Sequence, residues 1–248
     1  MTDVRESGLG AVIIVPTYNE LENLPLIVPA IRGSVPDAHI LIVDDSSPDG
    51  TGVLAQQLAA TDEHILVMHR TVKSGLGDAY LEAFGWALAR DYSVIVEMDA
   101  DGSHPADALP ALIAAVRPGS SYGLSIGSRW VAGGSVINWP WHRELLSRGG
   151  NIYARMMLGL SVKDATAGFR AFSADALRNI HLENVESHGY CFQIDMTRRV
   201  RNAGYEETEV PIVFREREHG ESKMSGSIVR EAMGKVTAWG FARLFGRG

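Results

Sequence analysis

The chain contains a single cysteine, Cys191, among its 248 residues. One cysteine excludes an intrachain disulfide, so we expect a reducing, cytoplasmic setting. No run of apolar residues approaches the ~18 needed to cross a bilayer, and residues 1–10 lack the apolar segment of a signal peptide. We therefore expect no transmembrane segment in the chain.

Net positive charge is also absent, since the formal net charge is −7 at pH 7, which argues against nucleic-acid binding. Two segments depart from this average. Residues 129–155 hold four arginines against one glutamate, and residues 226–248 hold four basic residues against one glutamate. This pattern favours anionic partners at both places, although two solvated helix faces would produce it as well.

A GxGxxG turn, which dinucleotide-binding folds use to bring bare backbone to a pyrophosphate, is missing after the first apolar run. Pro16, Tyr18 and Glu20 stand there instead, so a nicotinamide or flavin site is not expected. The Tyr18 ring can stack on a base, and the carboxylates of Glu20 and Asp45 can accept hydrogen bonds from ribose hydroxyls or base N–H groups. Packing as a partly buried aromatic is the alternative for Tyr18.

The first half of the chain alternates apolar runs with segments of helical spacing. The candidate strands are residues 11–15, 39–43, 64–69, 92–98 and 122–127, and the clearest helices are residues 76–89 and 109–116. Near-continuous apolar strands separated by helices predict an α/β fold with one mostly parallel, Rossmann-like sheet covered on both faces. The hydrophobic share of 46% suits one large globular unit.

Polar residues follow three of these strands: Asn19, Asp44 and Asp45, and the pair Asp99 and Asp101. Ligands bind at the carboxyl ends of strands in such sheets. In extended backbone, residues i and i+2 point to the same side, so the carboxylates of Asp99 and Asp101 should converge. A divalent cation with a phosphate ligand relieves their repulsion. We predict a metal site here; the alternative is a solvated acidic turn.

Motifs in order along residues 12–225 resemble those of the polyprenyl-phosphate (dolichyl-phosphate) mannosyltransferases, which are family 2 inverting glycosyltransferases of GT-A fold. They are PTYNE, VDDSSPDGT, MDADGSHP, GSRWVAGG, SRGGNIYAR, TAGFRAF, GYCFQID and ERxxGxSKM. The resemblance implies a GT-A catalytic domain at residues 1–225 and transfer of mannose from GDP-mannose to a polyprenyl monophosphate with inversion. It also implies dependence on Mg²⁺ or Mn²⁺.

The same resemblance assigns roles to individual residues. The nucleotide sugar is expected at Pro16, Tyr18, Glu20, Val43, Asp45, Asp99, Ala100, Asp101, Arg129, Arg217 and Lys223. The acceptor phosphate is expected at Arg129, Arg143 and Ser147, to which helical spacing adds Arg148 and Asn151. Catalysis is expected to depend on Asp99, Asp101, Arg129 and Arg217, because arginine makes paired, charge-assisted hydrogen bonds to phosphate. For any single arginine, a surface role is the alternative.

The metal is expected on Asp99, Asp101 and Ser103. Ser103 stands where many members of the family carry a glutamine, so the third ligand is left open between this hydroxyl, a water and His104.

A QxxRW motif, typical of relatives that glycosylate hydroxyl groups, is absent. A sugar hydroxyl must lose a proton to become a nucleophile, whereas a phosphate monoester is already an anion at neutral pH. We therefore expect in-line attack by a phosphate oxygen on the anomeric carbon without a strong base. Asp195 is the candidate if a base exists, and a structural carboxylate is the alternative.

Access to a lipid is expected through peripheral attachment to the cytoplasmic leaflet. The apolar residues Val136, Ile137, Trp139 and Trp141 lie within the first basic segment, and residues 226–248 predict a basic, amphipathic helix. That helix contains Trp239, Phe241, Leu244 and Phe245. The alternative is that this segment packs on the domain or on a separate membrane-embedded partner.

Three other functions remain possible from the residues alone. DADGS resembles the nucleophile loop of haloacid-dehalogenase phosphatases, although that motif usually opens its domain. A sugar-nucleotide-binding protein without catalysis is weakened by the acceptor-side arginines. The third is a polyprenyl-phosphate glucosyltransferase that uses UDP-glucose. Glucose differs from mannose by one epimeric hydroxyl, which the geometry of the pocket selects.

Overall fold

The computed structural model describes residues 8–185, 187, 190–216 and 226–245. Its central sheet contains β1 (Ala11–Thr17), β2 (His39–Asp44), β3 (Ile65–His69), β4 (Val94–Glu97), β5 (Tyr122–Ser128), β7 (Arg170–Ser173) and β8 (Glu206–Pro211). The seven strands lie in the order β3-β2-β1-β4-β7-β5-β8. A separate two-stranded parallel sheet joins β6 (Ser135–Ile137) to β9 (Val213–Arg215).

The helices cover both faces of the central sheet. They are α1 (Leu24–Ser34), α2 (Thr51–Thr61), α3 (Leu76–Leu88), α4 (Leu109–Ala115), α5 (Trp141–Leu158), α6 (Ala174–Asn179), α7 (Tyr190–Asn202) and α8 (Gly226–Leu244). One apolar core lies between the sheet and α1, α2 and α4. A second core lies on the other face, beneath α3, α5, α6, α7 and α8. Because both faces are covered, the central strands are apolar on both sides.

The five predicted strands and the two predicted helices are present, with ends that differ by at most two residues. The mostly parallel sheet with helices on both faces is confirmed. One strand departs from that pattern, because β7 runs antiparallel to both of its neighbours, β4 and β5. Its start, at Arg170, therefore lies at the same edge of the sheet as the ends of β4 and β5. Residues just before β7 are thereby brought beside the Asp99–Asp101 loop.

The C-terminal helix α8 packs on α5 and α7. Val236 is buried in the same core as the sheet, and the hydroxyls of Tyr153 and Thr237 are hydrogen-bonded at 2.6 Å. The Arg198 guanidinium carbon lies 4.8 Å from the centroid of the Trp239 ring. Within the described part of the chain, no helix is long and apolar enough to span a membrane. The boundary placed at residue 225 falls outside the described residues and stays a prediction.

Candidate functional site

A cavity of about 1140 Å³ opens at the carboxyl edge of the parallel strands. Most of the predicted site residues line it: Pro16, Tyr18, Glu20, Asp45, Asp99, Ala100, Asp101, Ser103, Arg129, Arg143 and Ser147. Three do not. The side chain of Val43 is fully buried in the core, and Arg148 and Asn151 are not part of the cavity wall. Arg217 and Lys223 lie outside the described residues.

At one end of the cavity, Tyr18 and Asp45 are already engaged by basic residues that the sequence did not point to. The Lys73 ammonium lies 3.1 Å from the centroid of the Tyr18 ring. The Arg70 guanidinium donates to Asp45 Oδ1 at 2.5 Å and to Glu82 at 2.8 Å. A base stacked on Tyr18 must therefore displace Lys73 or use the other face. Arg70 and Lys73 follow β3, whose end lies beside the end of β2, and this position in the chain is the sequence signal that could have indicated them.

Asp44, which also follows a strand, has a structural role. Its carboxylate accepts hydrogen bonds from the Thr17 hydroxyl at 3.1 Å and from the Ser47 hydroxyl at 2.6 Å. It is 2% exposed and does not line the cavity. These bonds fix the loop after β2 against the end of β1 and so position Asp45 at the cavity.

Asp99 and Asp101 both line the middle of the cavity, and the loop that carries them is held by its own hydrogen bonds. The Asp99 backbone N–H donates to His104 Nδ1 at 3.0 Å, and Asp101 Oδ1 accepts the Ser103 backbone N–H at 3.1 Å. The buried Tyr80 hydroxyl lies 3.5 Å from Asp99 Oδ1. Burial and the neighbouring carboxylates raise the pKa of Tyr80 well above its ordinary value, so it stays a neutral donor.

The residues of this loop fit a hard divalent cation. The Ser103 hydroxyl is buried beside the two carboxylates and has no hydrogen-bond partner among the described residues. Together these side chains offer two carboxylates and a hydroxyl, the oxygen donors that Mg²⁺ and Mn²⁺ prefer. No group of three or more His, Cys, Asp or Glu side chains suited to a metal occurs in the described part of the chain. A cation here would therefore also need oxygen ligands from its substrate or from water.

Behind the carboxylate loop lies a buried polar layer that the sequence reading missed. Glu97, at the end of β4, is fully buried, and burial raises its pKa to about 8. Gln193 donates from Nε2 to Glu97 Oε2 at 2.8 Å. Arg170, paired across the ladder from Glu97, donates to the carbonyl oxygens of Ala165 and Ala167 at 2.6 Å. Burial lowers the pKa of Arg170 to about 10, and it remains charged at neutral pH.

Arg129 is held by a partner that was not predicted, Asp164. The Arg129 Nε and Nη2 atoms donate to the two Asp164 carboxylate oxygens at 2.7 and 2.6 Å, and the Arg129 backbone N–H donates to the same carboxylate. Nη2 also reaches the Thr166 hydroxyl at 3.1 Å, whereas Nη1 makes no hydrogen bond to the described residues. Asp164 is fully buried. Arg129 is therefore a rigid wall of the cavity with one side of its guanidinium group left for a ligand.

The other acceptor-side candidates lie on or near α5. Arg143 is paired with Glu216, and its guanidinium carbon lies 4.1 Å from the Trp139 ring centroid. The Ser147 carbonyl oxygen accepts a hydrogen bond from the buried Asn151 amide at 3.0 Å. Arg148 instead pairs with Glu144 on the surface. Arg148 does not line the cavity, because the helix turns its side chain toward that surface pair. Its assignment to the acceptor phosphate stays a prediction.

Asp195 does not line the cavity. Its carboxylate is 2% exposed and accepts hydrogen bonds from Ser187, Arg198 and Arg199 at 2.8 to 3.2 Å. With its oxygens turned toward these donors, Asp195 is placed to support α7. It is not placed to take a proton from a molecule in the cavity.

The far end of the cavity is apolar. Trp141, Leu145 and Leu146 of α5 and Met233 and Val236 of α8 line it. Trp141 is 76% exposed and Leu145 63% exposed. Beyond the cavity, both helices and the residue that follows α8 keep further large apolar side chains exposed: Ile152, Met156, Phe241, Leu244 and Phe245. Val136, Ile137, Trp139 and Trp239, which were expected at a lipid boundary, are partly buried instead, because β6 pairs with β9 and both tryptophans pack on neighbouring side chains.

Comparison with known proteins agrees with this architecture. A polyprenol monophosphomannose synthase from Mycolicibacterium smegmatis is 56% identical, over 95% of this chain and 93% of the relative. An undecaprenyl-phosphate mannosyltransferase from Micrococcus luteus is 55% identical, over 92% of this chain and 93% of the relative.

Solved structures with low sequence identity share the fold. Glucosyl-3-phosphoglycerate synthase from Mycobacterium tuberculosis superposes with a TM-score of 0.67 at 19% identity, covering 95% of this chain and 81% of the other. A mannosyltransferase from Pyrobaculum calidifontis, solved with GDP-Man and Mn²⁺, gives a TM-score of 0.58 at 18% identity, covering 97% and 65%.

The sequence model of glycosyl transferase family 2 matches residues 12–180, which include the carboxylate loop, Arg129 and Asp164. This match and the two close relatives exclude the haloacid-dehalogenase interpretation. The chain belongs to glycosyl transferase family 2, and the polyprenyl-phosphate mannosyltransferases are its relatives within it.

Proposed function

We propose that the protein transfers mannose from GDP-mannose to a polyprenyl monophosphate with inversion, giving a lipid-linked mannosyl donor. The names of the two close relatives support the sugar and the acceptor. The observation that carries the proposal is the shape of the cavity, which runs from the polar edge at Tyr18 and Asp101 to apolar walls at Leu145 and Met233. A nucleotide sugar suits the first end, and the prenyl chain of an acceptor suits the second.

The donor diphosphate is proposed to lie over the carboxylate loop. Asp99, Asp101 and the Ser103 hydroxyl would hold Mg²⁺ or Mn²⁺ there, and the cation would offset negative charge on the departing GDP. The Pyrobaculum calidifontis mannosyltransferase of similar fold was solved with GDP-Man and Mn²⁺, which supports a divalent cation together with this donor. Tyr18, Glu20 and Asp45 lie at the end of the cavity where the nucleoside would bind.

The acceptor phosphate is proposed to bind between Arg129 and Arg143. Arg129 presents its remaining Nη1 atom from a rigid base, so alignment costs little side-chain entropy. Arg143 pairs with Glu216, so a phosphate that binds Arg143 would take the place of the Glu216 carboxylate. The phosphate oxygen is already ionised and attacks the anomeric carbon without a general base, consistent with the position of Asp195 away from the cavity.

We further propose that α5 and α8 place this end of the molecule on the cytoplasmic leaflet. The segments that contain both helices carry excess positive charge, which is attracted to anionic headgroups. The exposed apolar side chains of the same helices then insert at the headgroup boundary. Anchoring by a separate membrane-embedded protein is the competing arrangement, and it requires no binding to lipid alone.

A vesicle experiment tests this attachment. The double variant Met156→Asp/Phe241→Asp changes one exposed apolar residue on each helix. Leu26→Asp is the matched control, since Leu26 lies on α1 across the sheet and its exposure of 67% falls between the 76% of Met156 and the 52% of Phe241. We expect the control to co-sediment with anionic vesicles like the wild type, and the double variant to stay in solution. Equal binding of all three proteins would contradict the proposed surface. Failure of the wild type to bind would favour a protein anchor.

Transfer itself is tested with radiolabelled GDP-mannose, a polyprenyl phosphate and Mg²⁺ or Mn²⁺, following label into the organic phase. We expect transfer by the wild type, none by Asp101→Asn, and near-normal transfer by Asp107→Asn. Asp107 is an exposed carboxylate shortly after the loop that does not line the cavity. If label reached the organic phase only from UDP-glucose, the donor sugar would be glucose and not mannose. Donor binding without transfer would favour a sugar-nucleotide-binding protein.

A further inference from the structure

Gln193 presents a polar atom that neither the donor nor the acceptor assignment uses. It is 5% exposed, lies on α7 and lines the cavity. Its Nε2 atom donates to Glu97 Oε2 at 2.8 Å. Glu97 Oε2 accepts this bond in either protonation state of the carboxyl group, since a proton can reside on Oε1. In the orientation that the structure has, the amide nitrogen faces Glu97 and the amide oxygen is the other end of the group.

The amide oxygen of Gln193 has no hydrogen-bond partner among the described residues, although it is buried. A buried acceptor without a partner is costly, so a native structure rarely keeps one unless a ligand or water completes it. The residues on either side, Phe192 and Ile194, also line the cavity but are apolar. This stretch of the cavity wall thus offers one fixed acceptor between two apolar residues.

The location of Gln193 relates it to the carboxylate loop. A methyl group built on Gly168 would lie 4.0 Å from Gln193 Nε2 and 3.9 Å from Asp99 Oδ2. The amide nitrogen of Gln193 and the Asp99 carboxylate therefore border the same small space, which glycine leaves open. With the diphosphate over the carboxylate loop, as proposed above, Gln193 is a neighbour of the donor. An unpaired acceptor repels a phosphate oxygen but suits a hydroxyl donor.

We infer that Gln193 Oε1 accepts a hydrogen bond from one hydroxyl of the donor sugar and so helps to select that sugar. The inference rests on the proposed function, because it takes GDP-mannose as the donor. It assigns Gln193 a specificity-determining contact, which is distinct from the carboxylates of the loop and from the arginines of the acceptor side.

The test compares GDP-mannose with its four monodeoxy analogues in the wild type and in Gln193→Met. For the analogue that lacks the bonded hydroxyl, we expect the wild type to lose roughly 10-fold or more in kcat/KM. In Gln193→Met, the ratio of kcat/KM for GDP-mannose to kcat/KM for that analogue should fall toward one. The corresponding ratios for the other three analogues should stay as in the wild type. Each ratio is measured within one preparation, so partial unfolding of the variant does not alter it.

Ile194→Val is the matched control, because it trims an apolar neighbour on the same wall and should leave all four ratios unchanged. Should Gln193→Met not fold, Gln193→Asn retracts the amide by one methylene and carries the same expected loss of discrimination. Unchanged ratios in the Gln193 variants would overturn the inference. So would weaker Mn²⁺ binding by Gln193→Met, measured by titration without donor, since that result would make Gln193 a metal ligand. Absence of transfer from GDP-mannose by the wild type would instead refute the proposed function.

Discussion

Replacing Asp164 with asparagine removes the charge that holds Arg129 in place. Asp164 is fully buried and accepts three hydrogen bonds from Arg129, one from the backbone and two from the side chain, at 2.6 to 3.0 Å. Asparagine keeps the shape but turns an N–H group toward one of these donors. Arg129, which is 6% exposed, is then left with a buried charge that lacks its counterion.

The expected cost follows from burial. Breaking a buried ion pair by removing one partner typically costs about 3–5 kcal/mol, because the remaining charge is not solvated. That is a large part of a typical unfolding free energy of about 5–15 kcal/mol. We expect kcat/KM for transfer to fall as well, since Arg129 loses the contacts that set its orientation toward the acceptor phosphate.

Urea denaturation of the wild type, Asp164→Asn and a surface control measures this cost. The control is Asp175→Asn, whose carboxylate is 78% exposed and pairs with Arg178 at 3.1 Å; such exposed pairs are worth about 0–1 kcal/mol. We expect a clear drop in the midpoint for Asp164→Asn at an unchanged slope, and almost none for the control. A drop no larger than that of the control would refute the reasoning that Arg129 depends on this pair.

Three further predictions concern pH, packing and metal binding. Burial raises the pKa of Glu97 from 4.5 to about 8, so between those values the folded protein keeps a proton that the unfolded chain releases, and this contribution to stability is lost as pH rises. Glu97→Gln should therefore flatten the decline in denaturation midpoint between about pH 4.5 and about pH 8, and an unchanged decline would contradict this role of Glu97. In Gly134→Ala the new methyl would lie 2.5 Å from the Ser128 carbonyl oxygen, so thermal melting should show that the free energy of unfolding falls by about 1–3 kcal/mol. Gly85 has open space inside α3, so Gly85→Ala should instead raise the free energy of unfolding by about 0.5–1 kcal/mol. Asp101→Asn should weaken Mn²⁺ binding in the presence of GDP at least 10-fold, roughly the effect of losing one charged oxygen ligand, and unchanged affinity in a calorimetric titration would remove Asp101 from the metal site.

The first half of the fold could be predicted from sequence because its strands are buried on both faces. β1 and β2 are almost entirely apolar, and turn-forming residues mark their ends. β7 escaped prediction because it has only four residues and begins with a charged one, Arg170, whose burial depends on carbonyl groups contributed by other segments. Its antiparallel direction follows from tertiary pairing, which local periodicity does not encode.

The residues of the candidate site were likewise predicted only in part. Tyr18, Asp99 and Asp101 were found because each follows a strand end in a loop with its own signature. The counterions of the predicted residues were missed, since Asp164 lies 35 positions from Arg129 and Arg70 lies 25 positions from Asp45. Residue type suggested that Arg129 was a free phosphate ligand, whereas only the folded chain reveals how much of its hydrogen-bonding capacity is already used.

The antiparallel strand β7 has a further consequence for how such a site can change. The chain leaves the central sheet after Ser128, forms β6 and α5, and re-enters the sheet at Arg170, at the same edge. The segment that carries α5 and its part of the cavity wall is therefore a closed excursion whose two ends are neighbours in one ladder. Such an excursion can be lengthened, shortened or exchanged without shifting the register of the strands that carry the donor-side loops. The part of the cavity wall that α5 contributes can thus change separately from the donor-side loops, whereas the part that α8 contributes lies elsewhere in the chain.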